Sequence, residues 1–154
     1  LQVLQGLLVP FVAVVGAYIA WQQLAIARVK LQHELFDRRY AVFEAVRLFL
    51  IEVSKEYEIP FESIAKYHLG TADAGFLFNK ETCDYLSRIK EEAFKARSAQ
   101  RRASNARTEE TRQELIDQED NALAWLIEQL KVLENKFKPF LHLEPVPKWP
   151  LSKG

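Results

Sequence analysis

No charged residue occurs before Arg28: the 21 Lys and Arg and the 21 Asp and Glu all lie at Arg28 or beyond. That absence divides the chain more sharply than its neutral net charge suggests. Methionine is missing altogether, position 1 included, which leads us to expect that the native start precedes Leu1. The one cysteine, Cys83, excludes an intrachain disulfide and leaves the redox compartment open. Glycine and proline are few, five and six, and they gather at the ends and at one internal junction, so long uninterrupted helices are expected.

The uncharged stretch is apolar without interruption from residue 7 to Trp21. Residues 7–24, as a helix, measure roughly 27 Å at 1.5 Å per residue, close to the hydrocarbon thickness of a bilayer. Tyr18 and Trp21 fall near its C-terminal end, where amphipathic rings favour the headgroup level. Arg28, Lys30, Arg38 and Arg39 follow, and positive charge beside a span favours the cytoplasmic side. The expectation is a transmembrane anchor over residues 1–27, with the N-terminus outside. A cleaved signal peptide is the competing reading, with Ala25-Ile26-Ala27 as its cleavage site, but the apolar run is longer than such peptides need. A buried core helix is the third, and a domain this small seldom encloses a helix apolar all round.

Between Gly16 and Pro60 no helix breaker occurs. Leu31, Leu35, Val42, Val46, Phe49 and Val53 step by threes and fours, which predicts one helix from the membrane to about Tyr57. Phe36, Tyr40, Phe43 and Leu50 widen the stripe, and Glu34/Arg38 and Glu52/Lys55 have the spacing of intrahelical ion pairs. Ile59-Pro60 should end this helix. A junction follows: a short helix over residues 61–68 stopped by Gly70, then a turn in which Phe76 and Phe78 plug the end of the domain. Asn79 reads as the cap of a helix reaching about Ala103, with Cys83, Leu86, Ile89, Ala93 and Ala96 on one face. Thr108 opens the last helix, whose stripe is Ile116, Leu123, Leu126, Leu130, Leu133 and Phe137, and Pro139 breaks it. The fold class is therefore all-α: a transmembrane helix over 1–27 continuous with a long helix of an antiparallel three-helix bundle over residues 28–143. Residues 144–154, with Pro145, Pro147 and Pro150, read as an extended or disordered tail.

Chemistry is thin along this chain. His33 and Asp37 have the spacing of two metal ligands on one helix face, but two are too few, and a solvated pair is the plainer reading. His68 and His142 fall in junctions without partner ligands, and Cys83 reads as a small core residue. No phosphate loop, nucleophile–base pair or carboxylate dyad stands out, so neither an enzyme nor a cofactor is expected. Residues 88–107 hold seven Lys or Arg against two Glu, a net of +5, and residues 109–120 hold six carboxylates against one Arg, a net of −5. A turn at Ser104-Asn105 would lay the two runs together, Arg97, Arg101 and Arg102 facing Glu109, Glu110, Glu114 and Asp117. Such neutralisation argues against nucleic acid as a partner.

The most distinctive segment is Leu35-Phe36-Asp37-Arg38-Arg39, continued by Tyr40 and Glu44. With Phe137-Lys138-Pro139-Phe140-Leu141 it resembles a group of bacterial single-pass inner-membrane proteins of uncharacterised activity. In these an N-terminal anchor runs into a Leu-Phe-Asp-Arg-Arg segment. The resemblance implies a bacterial inner-membrane location and carries no activity with it. Asp37, Arg38, Arg39 and Glu44 are the candidate contact residues, either for a partner or acidic lipid, or for neighbouring helices and one another. The function expected is that of a membrane-anchored interaction or scaffold protein, with a sensor or effector component as the alternative. Its partners would be lipid through residues 1–27 and a protein or a second copy of the chain.

Overall fold

The computed structural model describes the backbone of residues 2–56 and 58–142, and the side chains of residues 12–56 and 58–142. The Pro-rich tail and the side chains of the N-terminal part of the apolar run, up to residue 11, lie outside these. Among the described residues the regular structure is helical throughout: α1 (Gln2–Glu56), α2 (Phe61–Gly70), α3 (Ala74–Leu77), α4 (Lys80–Ala103), α5 (Glu109–Phe137), and a 3-10 turn at Lys138–Phe140. The chain divides into two units between Leu35 and Phe36.

The first unit holds the apolar part of α1. From Val12 to Ala20 every side chain is exposed, whichever way it faces. This is the one described helix long and apolar enough to cross a membrane.

The second unit, Phe36–His142, carries the core. Val42, Val46, Phe49, Leu50 and Val53 of α1 are buried, as their spacing requires. Each such side chain contributes about 1.5–3 kcal/mol by leaving water. Pro60 disfavours helix at Ile59 and starts α2 beyond it, its carbonyl accepting from the amides of Ser63 and Ile64. Ser63 then donates to Glu52 Oε1 at 2.7 Å, tying the start of α2 to the end of α1. Tyr67 sits 4.9 Å from Phe49 between ring centres and donates its hydroxyl to Leu86 O at 2.9 Å. At Gly70 the two helices touch: a Cβ there would lie 2.5 Å from Ala45 Cβ, so only glycine fits without a shift.

Asn79 caps α4 by accepting from Thr82 N at 3.0 Å, and Thr108 caps α5 more loosely, from Thr111 N at 3.4 Å. Ala93, Ala96, Ala99 and Ala103 line the buried face of α4. Such small residues let α5 approach closely, with Leu115, Ala122, Leu123 and Leu126 facing the core. Gln129, buried among them, satisfies its amide on Trp125 O of its own helix. Arg88 stacks over Trp125 at 4.6 Å, and Lys136 pairs with Glu81 at 2.9 Å, so α4 and α5 run antiparallel. At one end of the unit Phe137 is enclosed by Phe43 and Phe78, at 5.5 and 5.2 Å between centres.

Several expectations are revised here. An antiparallel three-helix order leaves α2 out, yet α2 supplies the return path. Arg39 of α1 lies beside Leu77 just before α4, while Ile59 lies beside Arg97 near its end. The second half of α1 therefore runs parallel to α4 and antiparallel to α5. Leu31 and Leu35 are exposed, so the core stripe begins only at Val42. Phe78 plugs the core end, but Phe76 is 92% exposed. Leu115, not Ile116, is the fully buried first contact of α5. Neither Glu34/Arg38 nor Glu52/Lys55 pairs: Glu52 takes Ser63, and the α1 pair that forms is Glu44–Arg47.

Candidate functional site

Of the four candidate contact residues, the structure gives Arg39 a defined task. Its Nε donates to Leu77 O at 3.2 Å, an Nη donates to Phe140 O at 3.3 Å, and the guanidinium lies 5.9 Å from the Phe140 ring centre. Half-buried, it closes carbonyls that the ends of α3 and of the 3-10 turn leave without helical partners. Glu44 accepts two hydrogen bonds from Arg47, at 2.7 and 2.9 Å, on the exposed side of α1. That hydrogen-bonded pairing, with the attraction of the charge, holds the Glu44 carboxyl below its ordinary value. Asp37 and Arg38 are exposed. The four thus do not converge: Arg39 is an internal clamp, Glu44 belongs to a local surface pair, and Asp37 and Arg38 face solvent.

Among the described residues no three His, Cys, Asp or Glu side chains come together as a metal site. Cys83 packs at the core margin with Sγ 3.6 Å from Ala74 O. Burial pushes the Tyr85 phenol up to about 12, and its buried hydroxyl has no hydrogen-bond partner.

The opposite end of the core offers a different environment. Arg97, Arg101 and Arg102 of α4 line a cleft of about 550 Å³ together with Phe61 of α2, Phe94 of α4 and Leu115 of α5. No carboxylate lines it. Arg97 is held in place: one Nη donates to Ile59 O at 2.8 Å and the guanidinium rests 5.7 Å from the Phe61 ring centre. Arg101 and Arg102 are exposed, as are the rings of Phe61 and Phe94. Phe94, Ser98 and Arg102 also border a second cleft of about 940 Å³, which reaches across to Gln118, Asn121 and Trp125 of α5.

The predicted neutralisation of this basic run within its own hairpin does not take the form of direct ion pairs. The hairpin forms, but among the described residues no ion pair within 4.0 Å joins residues 88–107 to residues 109–120. Lys95 pairs with Glu92 on its own helix, and Glu109 with Arg112 on its own helix. The alanine face that brings α4 and α5 together turns Arg101 and Arg102 outward on one helix and Glu110, Glu114 and Asp117 outward on the other. The sequence held the charges of this site. The aromatic members, Phe61 and Phe94, were not separable from core residues by spacing alone. No family model, curated protein or solved structure matches the chain.

Proposed function

We propose that the chain is a membrane-anchored helical interaction protein of the bacterial inner membrane, the kind of protein it resembles. Residues 1–27 cross the bilayer and the domain that follows works in the cytoplasm. In this reading the second half of α1, α4 and α5 are the long helices of a bundle, with α2 as its return strut. The bundle presents a surface to a protein partner, and lipid is bound through the anchor. The observation that carries the reading is the contrast within α1: an uncharged stretch whose described side chains lie open all round, followed by a stretch buried on one stripe only. An exposed apolar surface of that extent needs a solvent other than water.

Carbonate washing of membranes from expressing cells tests it. The full-length chain should stay in the pellet, and protease added to intact cells should leave the domain whole. Release into the supernatant, or cleavage from outside, contradicts the reading. One observation favours a second role, that of a component relaying state across the membrane: α1 is unbroken from the apolar stretch to the core positions Val42–Val53. A relay of that kind is lost when helix continuity near Ala27 is broken by inserted glycines, whereas a plain tether tolerates them.

A further inference from the structure

We propose that the Arg-lined cleft and the acidic face beside it form one self-complementary surface on which a second copy of this chain docks. The inference rests on the interaction reading above and names its partner. Most of α4 with the turn after it, and the start of α5, carry charges of equal size and opposite sign, +5 over residues 88–107 and −5 over residues 109–120. Inside one molecule these charges stay apart, as shown by the ion pairs that do form. On α5, Thr111 borders the first cleft and Gln118 the second. Helical spacing puts Glu114 between them and Glu110 and Asp117 along the same outer edge, all three exposed. The outer face of the hairpin thus holds a basic row, Arg101 and Arg102, at the end of α4 and an acidic row at the start of α5, while Glu91, Glu92 and Lys95 lie farther back along the second cleft.

A two-fold axis running along the hairpin lays each basic row on the acidic row of the other copy. Residue i meets residue j and j meets i, as an isologous interface requires. An axis across the hairpin would set like charges against like. Phe94 supplies an apolar centre between the rows and Phe61 its margin, both exposed in the single chain. A nucleic acid or an anionic lipid surface would use only the arginines and be repelled by Glu110, Glu114 and Asp117. A second copy satisfies both rows.

Two tagged forms of the full-length chain, co-expressed and purified in mild detergent or nanodiscs, provide the test. The parent forms should co-purify at low salt, and 1 M salt should weaken the pairing at least tenfold. Arg101→Glu with Arg102→Glu should abolish self-pairing, and so should Glu110→Arg with Glu114→Arg and Asp117→Arg. All five positions are exposed, and unchanged melting by circular dichroism shows that each variant folds. Mixing the two reversed variants should restore pairing, because their surfaces are again complementary. Monomeric parent at low salt overturns the inference, as does pairing that survives both reversals or reversed variants that fail to pair with each other. If the monomeric parent still resists carbonate and binds DNA, anionic vesicles or another protein through Arg101 and Arg102, the second copy is wrong and the interaction reading stands. If carbonate releases the chain, the interaction reading itself falls.

Discussion

Two stretches of the same helix use apolar side chains to opposite ends. Around Val12–Ala20 the apolar residues occupy every direction of α1 and all are exposed. Around Val42–Val53 they occupy one stripe, and Val46 and Leu50 are fully buried while Arg47 and Leu48 on the other side are open. Helix formation is common to both, since neither stretch contains a strong breaker beyond Gly16. What differs is where hydrophobicity is satisfied, in lipid for the first stretch on our reading and in the protein's own core for the second. On that reading the pattern around the helix, rather than total apolar content, separates anchor from core.

The sharpest way to break that comparison is to place the same carboxylate in each stretch. Val46→Asp should unfold the domain while leaving the chain in membranes, because an unpaired charge enters a closed core. Val15→Asp should leave the domain's melting unchanged but impair insertion, with a cost of about 2.5–3.5 kcal/mol near a span's centre. If both variants lose the same property, the two stretches are not distinct. Within the core the contrast repeats on α5: Leu126→Asp should abolish cooperative melting, and Glu128→Ala, on the exposed side, should change stability by less than about 0.5 kcal/mol.

A smaller effect is expected where α1 and α2 touch. Gly70→Ala inserts a methyl against Ala45 Cβ and should cost about 1–3 kcal/mol in chemical denaturation, with Ala45→Gly recovering part of the loss. Smaller again are the caps. Asn79→Ala should cost about 1 kcal/mol, and Thr108→Ala less, in keeping with their 3.0 and 3.4 Å hydrogen bonds. Equal losses would mean that cap geometry does not rank them.

The smallest effect concerns pH. Burial, with repulsion from Asp120 and Glu58, holds the Glu119 carboxyl above its ordinary value. The folded chain therefore binds this proton more tightly than the unfolded chain does. Its contribution is present below the unfolded value of about 4.3 and is lost as pH rises through the raised folded value. Glu119→Gln should melt slightly above the parent at pH 7, and the two should converge near pH 4. A variant that melts below the parent at pH 7 contradicts this sign.

Local signals in the sequence were legible because their physics is local. Asn79 and Thr108 cap the helices they were expected to cap, Pro60 separates α1 from α2, and the stripe from Val42 to Val53 is buried. Tertiary choices were not. Phe76 and Phe78 are indistinguishable by composition, and the tertiary positions of Phe137 and Phe140, both against Phe78, decide that Phe78 goes inside. Leu115 and Ile116 are neighbours of equal hydrophobicity, and the approach allowed by Ala99 and Ala103 selects Leu115. Arg39 stood out by sequence, but its partners are backbone carbonyls, which no side-chain pattern reveals. The opposed charge runs were plain to read; that they stay unpaired depends on how the hairpin turns its faces.

The most direct test of the account is a spin-label scan along α1 of the full-length chain in lipid bilayers, with Cys83 replaced by Ser. Labels at successive positions from 12 to 24 should all be accessible to oxygen and shielded from a water-soluble nickel reagent, with no helical period in oxygen access. Labels from 42 to 53 should alternate with a period of 3.6, protected from both reagents at Val42, Val46, Phe49 and Val53 and open to the nickel reagent at Arg47 and Leu48. A 3.6-residue period of nickel access between 12 and 24 would place that stretch in water against protein, and the division of α1 between two solvents would be wrong.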